Sequence, residues 1–192
     1  MRIGVLALQG AFVEHRKILR DLGVESAEVR LPEQLKGLDG LIIPGGESTT
    51  IGKLAVTYGL MEPLRAFAID KPVWGTCAGM IFMAKDIDGD QPLLAVMDIV
   101  VRRNAFGRQI DSFVTEISAP DLTNGQTKPF LAVFIRAPIL VEVKESAGAT
   151  VVARLEDGTA VAARQGHMLV TAFHPELTND VRFHQYFIER VK

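Results

Sequence analysis

The sequence predicts an α/β fold: a three-layer, mostly parallel sheet with helices on both faces and an added antiparallel portion. Three observations carry this. Apolar runs at 2–8, 40–43 and 72–76 read as strands buried on both faces, as in a parallel sheet. Segments of helical spacing alternate with them, the order of a doubly wound sheet. After Asp86 the texture changes to short strands separated by turn signals such as Asn124-Gly125 and Asp157-Gly158, which suggests appended antiparallel structure.

Taken in order, residues 2–8 form the first strand and Gln9-Gly10 a turn. Phe12, Ile18, Leu19 and Leu22 fall at roughly helical spacing over 12–22, and Gly23 ends that helix. Residues 25–30 form a second strand. A third, 40–43, runs into Pro44-Gly45-Gly46-Glu47-Ser48-Thr49-Thr50. Helices follow at 48–58 and 61–69, then a strand at 72–76 and an apolar helix from 78 to 84. The later short strands are 96–102, 112–117, 132–135, 142–143, 151–154, 161–163 and 169–172. A helix over 180–191 closes the chain, with Val181, Phe183, Phe187 and Ile188 available for burial. The polar stretch 118–128 reads as a surface loop. No repeat or low-complexity linker divides the chain, so residues 1–192 are expected to form one domain.

Bulk composition narrows the function classes. The 21 Lys and Arg against 23 Asp and Glu leave a net charge of −2, which argues against nucleic acid as a partner. No apolar run approaches the roughly 18 residues of a membrane span. The apolar N-terminus is short for a signal peptide and lacks its cleavage pattern. The chain has 1 cysteine and cannot form an internal disulfide, so a reducing, cytoplasmic location is the simplest reading.

That cysteine sits in Gly75-Thr76-Cys77-Ala78-Gly79, between a buried strand and an apolar helix. The frame is that of a nucleophile elbow, whose glycines permit a sharp turn and close packing. Partial positive charge at the start of the following helix favours a thiolate. The alternative is a small buried apolar residue. Phe173-His174-Pro175-Glu176 follows another apolar run. In extended chain His174 and Glu176 point to the same side, so a carboxylate can orient the imidazole while its other nitrogen faces a nucleophile. Both Cys77 and His174 lie just past strand ends, which gather at one edge of such a sheet. An isolated His-x-Glu is also compatible with a half-buried histidine.

Pro44-Gly45-Gly46-Glu47-Ser48 is not a phosphate loop. The spacing from Gly46 to Gly52 is one residue too long, and Leu54 follows Lys53 where Ser or Thr belongs. Two readings stand together. The Gly46 and Ala78 amides form an oxyanion hole, and the segment is a strand-to-helix turn with Ser48 as N-cap. Bunched arginines at 102–108 and Arg136 suit a substrate carboxylate, or a solvated face. His15, His167 and His184 have no comparable setting and read as ordinary surface or packing residues. No spacing of metal ligands is present, and no cofactor is expected.

Together these residues resemble the class I, triad-type glutamine amidotransferases, a flavodoxin-like fold. More narrowly, the chain is similar to the glutaminase-subunit family of pyridoxal 5′-phosphate synthase. The elbow and His174-Pro175-Glu176 are shared by the whole class. Gly46-Glu47-Ser48-Thr49-Thr50, Phe106-Gly107-Arg108-Gln109 and Phe134-Ile135-Arg136-Ala137-Pro138 carry the narrower resemblance, together with Asp111-Ser112-Phe113 and the N-terminal Gly4–Gly10 stretch. The resemblance implies a Cys77, His174, Glu176 triad. It implies glutamine contacts from Gly46, Glu47, Ser48, Arg103, Ile135 and Arg136. It also implies a partner, a (β/α)₈-barrel synthase subunit in a large hetero-oligomer that receives the ammonia. Two rivals are a different hydrolase on the same elbow and a non-catalytic subunit. The first should lack the subfamily segments, and the second should have lost a triad member.

Overall fold

A computed structural model of the protein describes residues 1–103 and 112–192. Of the motif residues above, 104–109 and Asp111 lie outside the described residues. The chain forms β1 (Arg2–Leu6), α1 (Phe12–Asp21), β2 (Glu25–Val29), β3 (Gly40–Ile43), α2 (Ser48–Thr57), α3 (Met61–Asp70), β4 (Val73–Thr76) and α4 (Ala78–Met83). There follow β5 (Ala84–Ile87), β6 (Met97–Arg102), β7 (Ser112–Ile117), β8 (Phe130–Ile135), β9 (Ile139–Val143), β10 (Ala149–Arg154), β11 (Ala160–Gln165), β12 (Met168–Thr171) and α5 (Arg182–Val191).

The central sheet runs β10-β11-β12-β4-β3-β1-β2. Its pairs from β12 to β2 are parallel, and β11 and β10 extend it antiparallel. β3 and β4 are buried along their whole length, which explains their unbroken apolar sequence. Side-chain alternation then assigns the layers. Trp74 points to one face, where it meets His15 of α1 and His184 and Phe187 of α5. Gly75 points to the other, where α4 lies against it and α2 packs beside α4. The core is one cluster that runs through both layers.

The remaining strands form two small sheets, β5-β6-β9 and β7-β8. Here the structure departs from the sequence reading in two places. β12, expected among the appended strands, is a parallel member of the central sheet next to β4. β5 has no counterpart in the sequence reading, whose helix over 78–84 overlaps only its first residue. Only its first residue is fully buried and its middle is Lys85-Asp86, so it carries no strand signature. The stretch 118–128 is a largely exposed turn region, as expected. It is pinned from below by Arg182, whose guanidinium donates to the carbonyls of Lys128 and Pro129 at 2.9 and 2.8 Å.

Candidate active site

The site forms past the carboxyl ends of β4, β3 and β12. Cys77 follows β4 with φ 46° and ψ −102°, a left-handed backbone in a non-glycine residue. This is the strained turn of an elbow, and packing on both sides holds it. A Cβ on Gly79 would lie 2.1 Å from the Ile43 carbonyl oxygen, and one on Gly75 would lie 2.6 Å from the Gly79 backbone. The two glycines therefore let α4 rest directly on β3 and β4. The Cys77 amide donates to the Thr171 carbonyl of β12 at 2.8 Å.

The register of β12 delivers the histidine. Thr171 pairs with Thr76, so the two strand ends lie side by side. His174 is then fixed by its amide, which donates to the Val133 carbonyl of β8 at 2.8 Å. The extended His-Pro-Glu geometry expected from sequence gives way to a 3-10 turn over Pro175–Leu177. Pro175 opens that turn because its fixed φ suits a first helical position and it has no N–H to leave unpaired. The turn folds Glu176 back onto its own histidine, with Nδ1 of His174 2.7 Å from Oε1. The ring and Cys77 both border Gly45, and the Cys77 sulfur is near enough to act on the imidazole electrostatically. Gly45 admits this ring: a Cβ there would come within 2.4 Å of His174 Cε1.

All three groups are buried. Burial alone would lower the His174 pKa. The Cys77 sulfur and the Glu176 carboxylate outweigh it and raise the value to about 10. Burial would likewise raise Glu176, but the imidazoles facing it hold it below the usual carboxylate value. At neutral pH the arrangement is a protonated imidazole clamped to an ionised carboxylate and turned towards the Cys77 sulfur.

A cleft of about 480 Å³ opens above Cys77. It is lined by Cys77, His174 and Glu176, the glycine turn from Gly46 to Ser48, Ala78, Arg103, Ile135 and Arg136. Ala78 opens α4, so its amide belongs to a first turn without intrahelical partners. The Ile135 carbonyl lies 4.0 Å from Cys77 Sγ, and Arg136 holds φ at 43°.

The start of α2 corrects one expectation. Its N-cap is Glu47, not Ser48. The Glu47 carboxylate accepts from the Thr49 and Thr50 amides at 3.1 and 2.6 Å, while its own amide donates to Gln9 Oε1 at 2.7 Å. Ser48 is freed to donate from Oγ to Gln91 Oε1 at 3.0 Å. The same oxygen accepts from Arg103 Nη1 at 3.0 Å, so Gln91 ties the glycine turn to the arginine. Sequence reasoning missed Gln91, which sits in a loop without a motif. It also missed His15, read as ordinary packing. His15 is fully buried, and its Nε2 lies 3.4 Å from Glu176 Oε2. Helical spacing gave no signal for that contact across the chain. Among the described residues no group of three or more His, Cys, Asp or Glu side chains could hold a metal ion, and no helix is long and apolar enough to cross a membrane.

An elbow cysteine, a His-Pro-Glu turn and a parallel sheet in this order define a triad-type amidotransferase fold. The structure is similar to a solved one described as a crystal structure of glutamine amidotransferase, at 48% identity and a TM-score of 0.91, with 98% of each chain covered. It shares the fold alone with a chain of PurLQS from Thermotoga maritima, at 14% identity and a TM-score of 0.73, covering 100% of this chain and 99% of that one. Residues 5–192 match the SNO glutamine amidotransferase family, and the chain belongs to it. Its curated relatives include the pyridoxal 5′-phosphate synthase subunits PdxT of Herpetosiphon aurantiacus and Carboxydothermus hydrogenoformans. Each is 57% identical, over 98% and 100% of this chain and 99% and 98% of theirs.

Proposed function

We propose that residues 1–192 act as one glutaminase domain. It hydrolyses L-glutamine to L-glutamate and ammonia, and supplies the ammonia to a pyridoxal 5′-phosphate synthase. The observation that carries this is the convergence of Cys77, His174 and Glu176 at one buried point under a cleft, in a chain of this family.

Cys77 attacks the side-chain amide carbon as the thiolate, its proton held on His174. The Gly46 and Ala78 amides take the oxyanion. His174 gives its proton to the departing nitrogen, ammonia leaves, and a thioester remains. His174, now neutral, takes a proton from water, and the hydroxide releases glutamate and regenerates the thiol. Arg103, held by Gln91, and Arg136 grip the substrate's α-carboxylate. Gly46, Glu47, Ser48 and Ile135 frame its remaining polar groups. Cys77→Ala is expected to lower ammonia release by roughly 10⁴-fold or more while the fold persists. Ammonia release at the wild-type rate would overturn the assignment.

The partner is a (β/α)₈-barrel synthase subunit in a large hetero-oligomer, met in the cytoplasm. Ammonia is protonated and lost if it enters bulk water, which favours transfer inside a complex. Ile135 and Leu177 line the cleft and leave apolar surface exposed at its mouth, which supports docking there. Activity is low until docking. The Gly45 carbonyl accepts from the Ala11 amide at 3.0 Å, so rotating the Gly45–Gly46 peptide breaks that hydrogen bond, and neither residue has a side chain to oppose the turn. Titrating the synthase into a glutaminase assay tests this, and equal rates with and without it would refute it.

A further inference from the structure

Behind the triad lies a second pair of imidazoles that the mechanism above does not use. His15 of α1 and His184 of α5 are fully buried. Trp74 meets both rings edge-on, at 5.6 and 4.9 Å. His15 Nδ1 lies 2.9 Å from His184 Nε2. On its other side His15 Nε2 lies 3.4 Å from Glu176 Oε2 and 3.4 Å from Thr76 Oγ1. The two oxygens of Glu176 are thus divided. Oε1 takes His174, and Oε2, buried and without a close hydrogen bond, faces His15.

We propose that His15 is a positioning residue for the triad: its Nε2–H, fixed in that tautomer by His184, holds the second oxygen of Glu176. This rests on the glutaminase reading of the site. Only one proton fits between two nitrogens 2.9 Å apart. If His15 carried it, the Nε2 lone pair of a neutral His15 would face the carboxylate, which is repulsive. With His184 Nε2–H as the donor, His15 Nδ1 accepts and its Nε2–H lies between Thr76 Oγ1 and Glu176 Oε2, each 3.4 Å away. Both rings must be neutral for this. Burial in the aromatic pocket lowers both. For His15 the attraction of Glu176, and the weaker one of Glu14, fall short of offsetting burial and the charge on His174. For His184, burial and His15 act together. A neutral donor adds no second cation beside His174, yet it keeps the carboxylate ionised and aimed.

Three measurements decide the proposal. Side-chain ¹⁵N NMR of the wild-type chain is expected to show both His15 and His184 as neutral Nε2–H tautomers, and an Nδ1–H or doubly protonated His15 would overturn it. In glutamine hydrolysis with the synthase present, His15→Phe is expected to lower kcat roughly ten- to a hundredfold, the loss of one charge-assisted hydrogen bond. KM should hold, and the acid limb of the pH profile should rise by about one to two units. His15→Gln sets an amide N–H near the place of Nε2 and should recover most of the rate. A folded His15→Phe chain with wild-type kcat and acid limb, or a His15→Gln chain equally impaired, would refute the role. The rate of Cys77 alkylation by iodoacetamide against pH should shift the same way, and it needs no turnover. If wild type and Cys77→Ala are equally inert towards glutamine, the glutaminase reading fails, while the alkylation profile and the NMR still decide His15. If His15→Phe does not fold, the wild-type NMR decides alone.

Discussion

The two walls of the cleft are built differently. On one side Cys77, His174 and Glu176 are 6%, 8% and 6% exposed, and each is tied to the central sheet or to the turn beyond it. On the other, Glu47, Ile135 and Arg136 are exposed, and Arg103 hangs from β6 through Gln91. Both walls hold a non-glycine residue at positive φ, Cys77 and Arg136. Only the first is clamped from every side. The groups proposed to make and break bonds are thus preorganised by strand register, while those proposed to meet substrate and partner stand on peripheral strands and loops.

Substitutions on each wall test that contrast. The largest effect is expected at Gly79→Ala, because its Cβ would strike the Ile43 carbonyl and backbone cannot yield as a side chain can. Denaturation should show a loss of at least the ~1–3 kcal/mol of an overpacked core. Turnover should fall by ~10²-fold as the elbow is displaced. A stable, active variant would show the inner wall to be as adaptable as the outer.

On the outer wall, Arg103→Ala should raise KM for glutamine by roughly ten- to a hundredfold and change kcat little. A fall in kcat with KM intact would move Arg103 to the partner interface.

The inner wall also carries a pH signature. The His174 pKa is raised to about 10 in the folded chain, above an unfolded value near ~6.5. Its contribution to stability is complete below that lower value and is lost as pH rises through the upper one. The stability difference between wild type and His174→Asn should therefore shrink across this window, and a constant difference would remove the charge from the pairing. The smallest effect belongs to Glu47→Ala, the loss of an N-cap, at ~1 kcal/mol by thermal melting. Backbone contacts to substrate should survive it, so a large rise in KM would mean that the carboxylate itself meets glutamine.

Much of this was legible in sequence where a signal is local. The elbow needs glycine on both sides of one residue, and His-Pro-Glu sets an imidazole beside a carboxylate, so both stand out without any fold, although the segment read as extended chain and is a 3-10 turn. The alternation of buried strands with helices announced the central sheet. What escaped depends on distance or on partners. An apolar run such as β12 does not say which strand it pairs with, and so it was placed with the appended strands. β5 is too short and polar to show a period. Glu47 rather than Ser48 caps α2 because the turn aims the longer side chain back at the amides. His15 touches Glu176 across 161 positions of chain, and no spacing rule reports that.

The adjacency of β12 to β4 has a consequence for synthesis. These neighbouring strands are separated in the chain by nearly everything peripheral, from β5 to β11. A nascent polypeptide emerging from the ribosome presents its thiol long before the imidazole exists. On the proposed triad, unfinished or prematurely terminated products lack the imidazole and are expected to leave the cell's glutamine intact until the last strand slots into place.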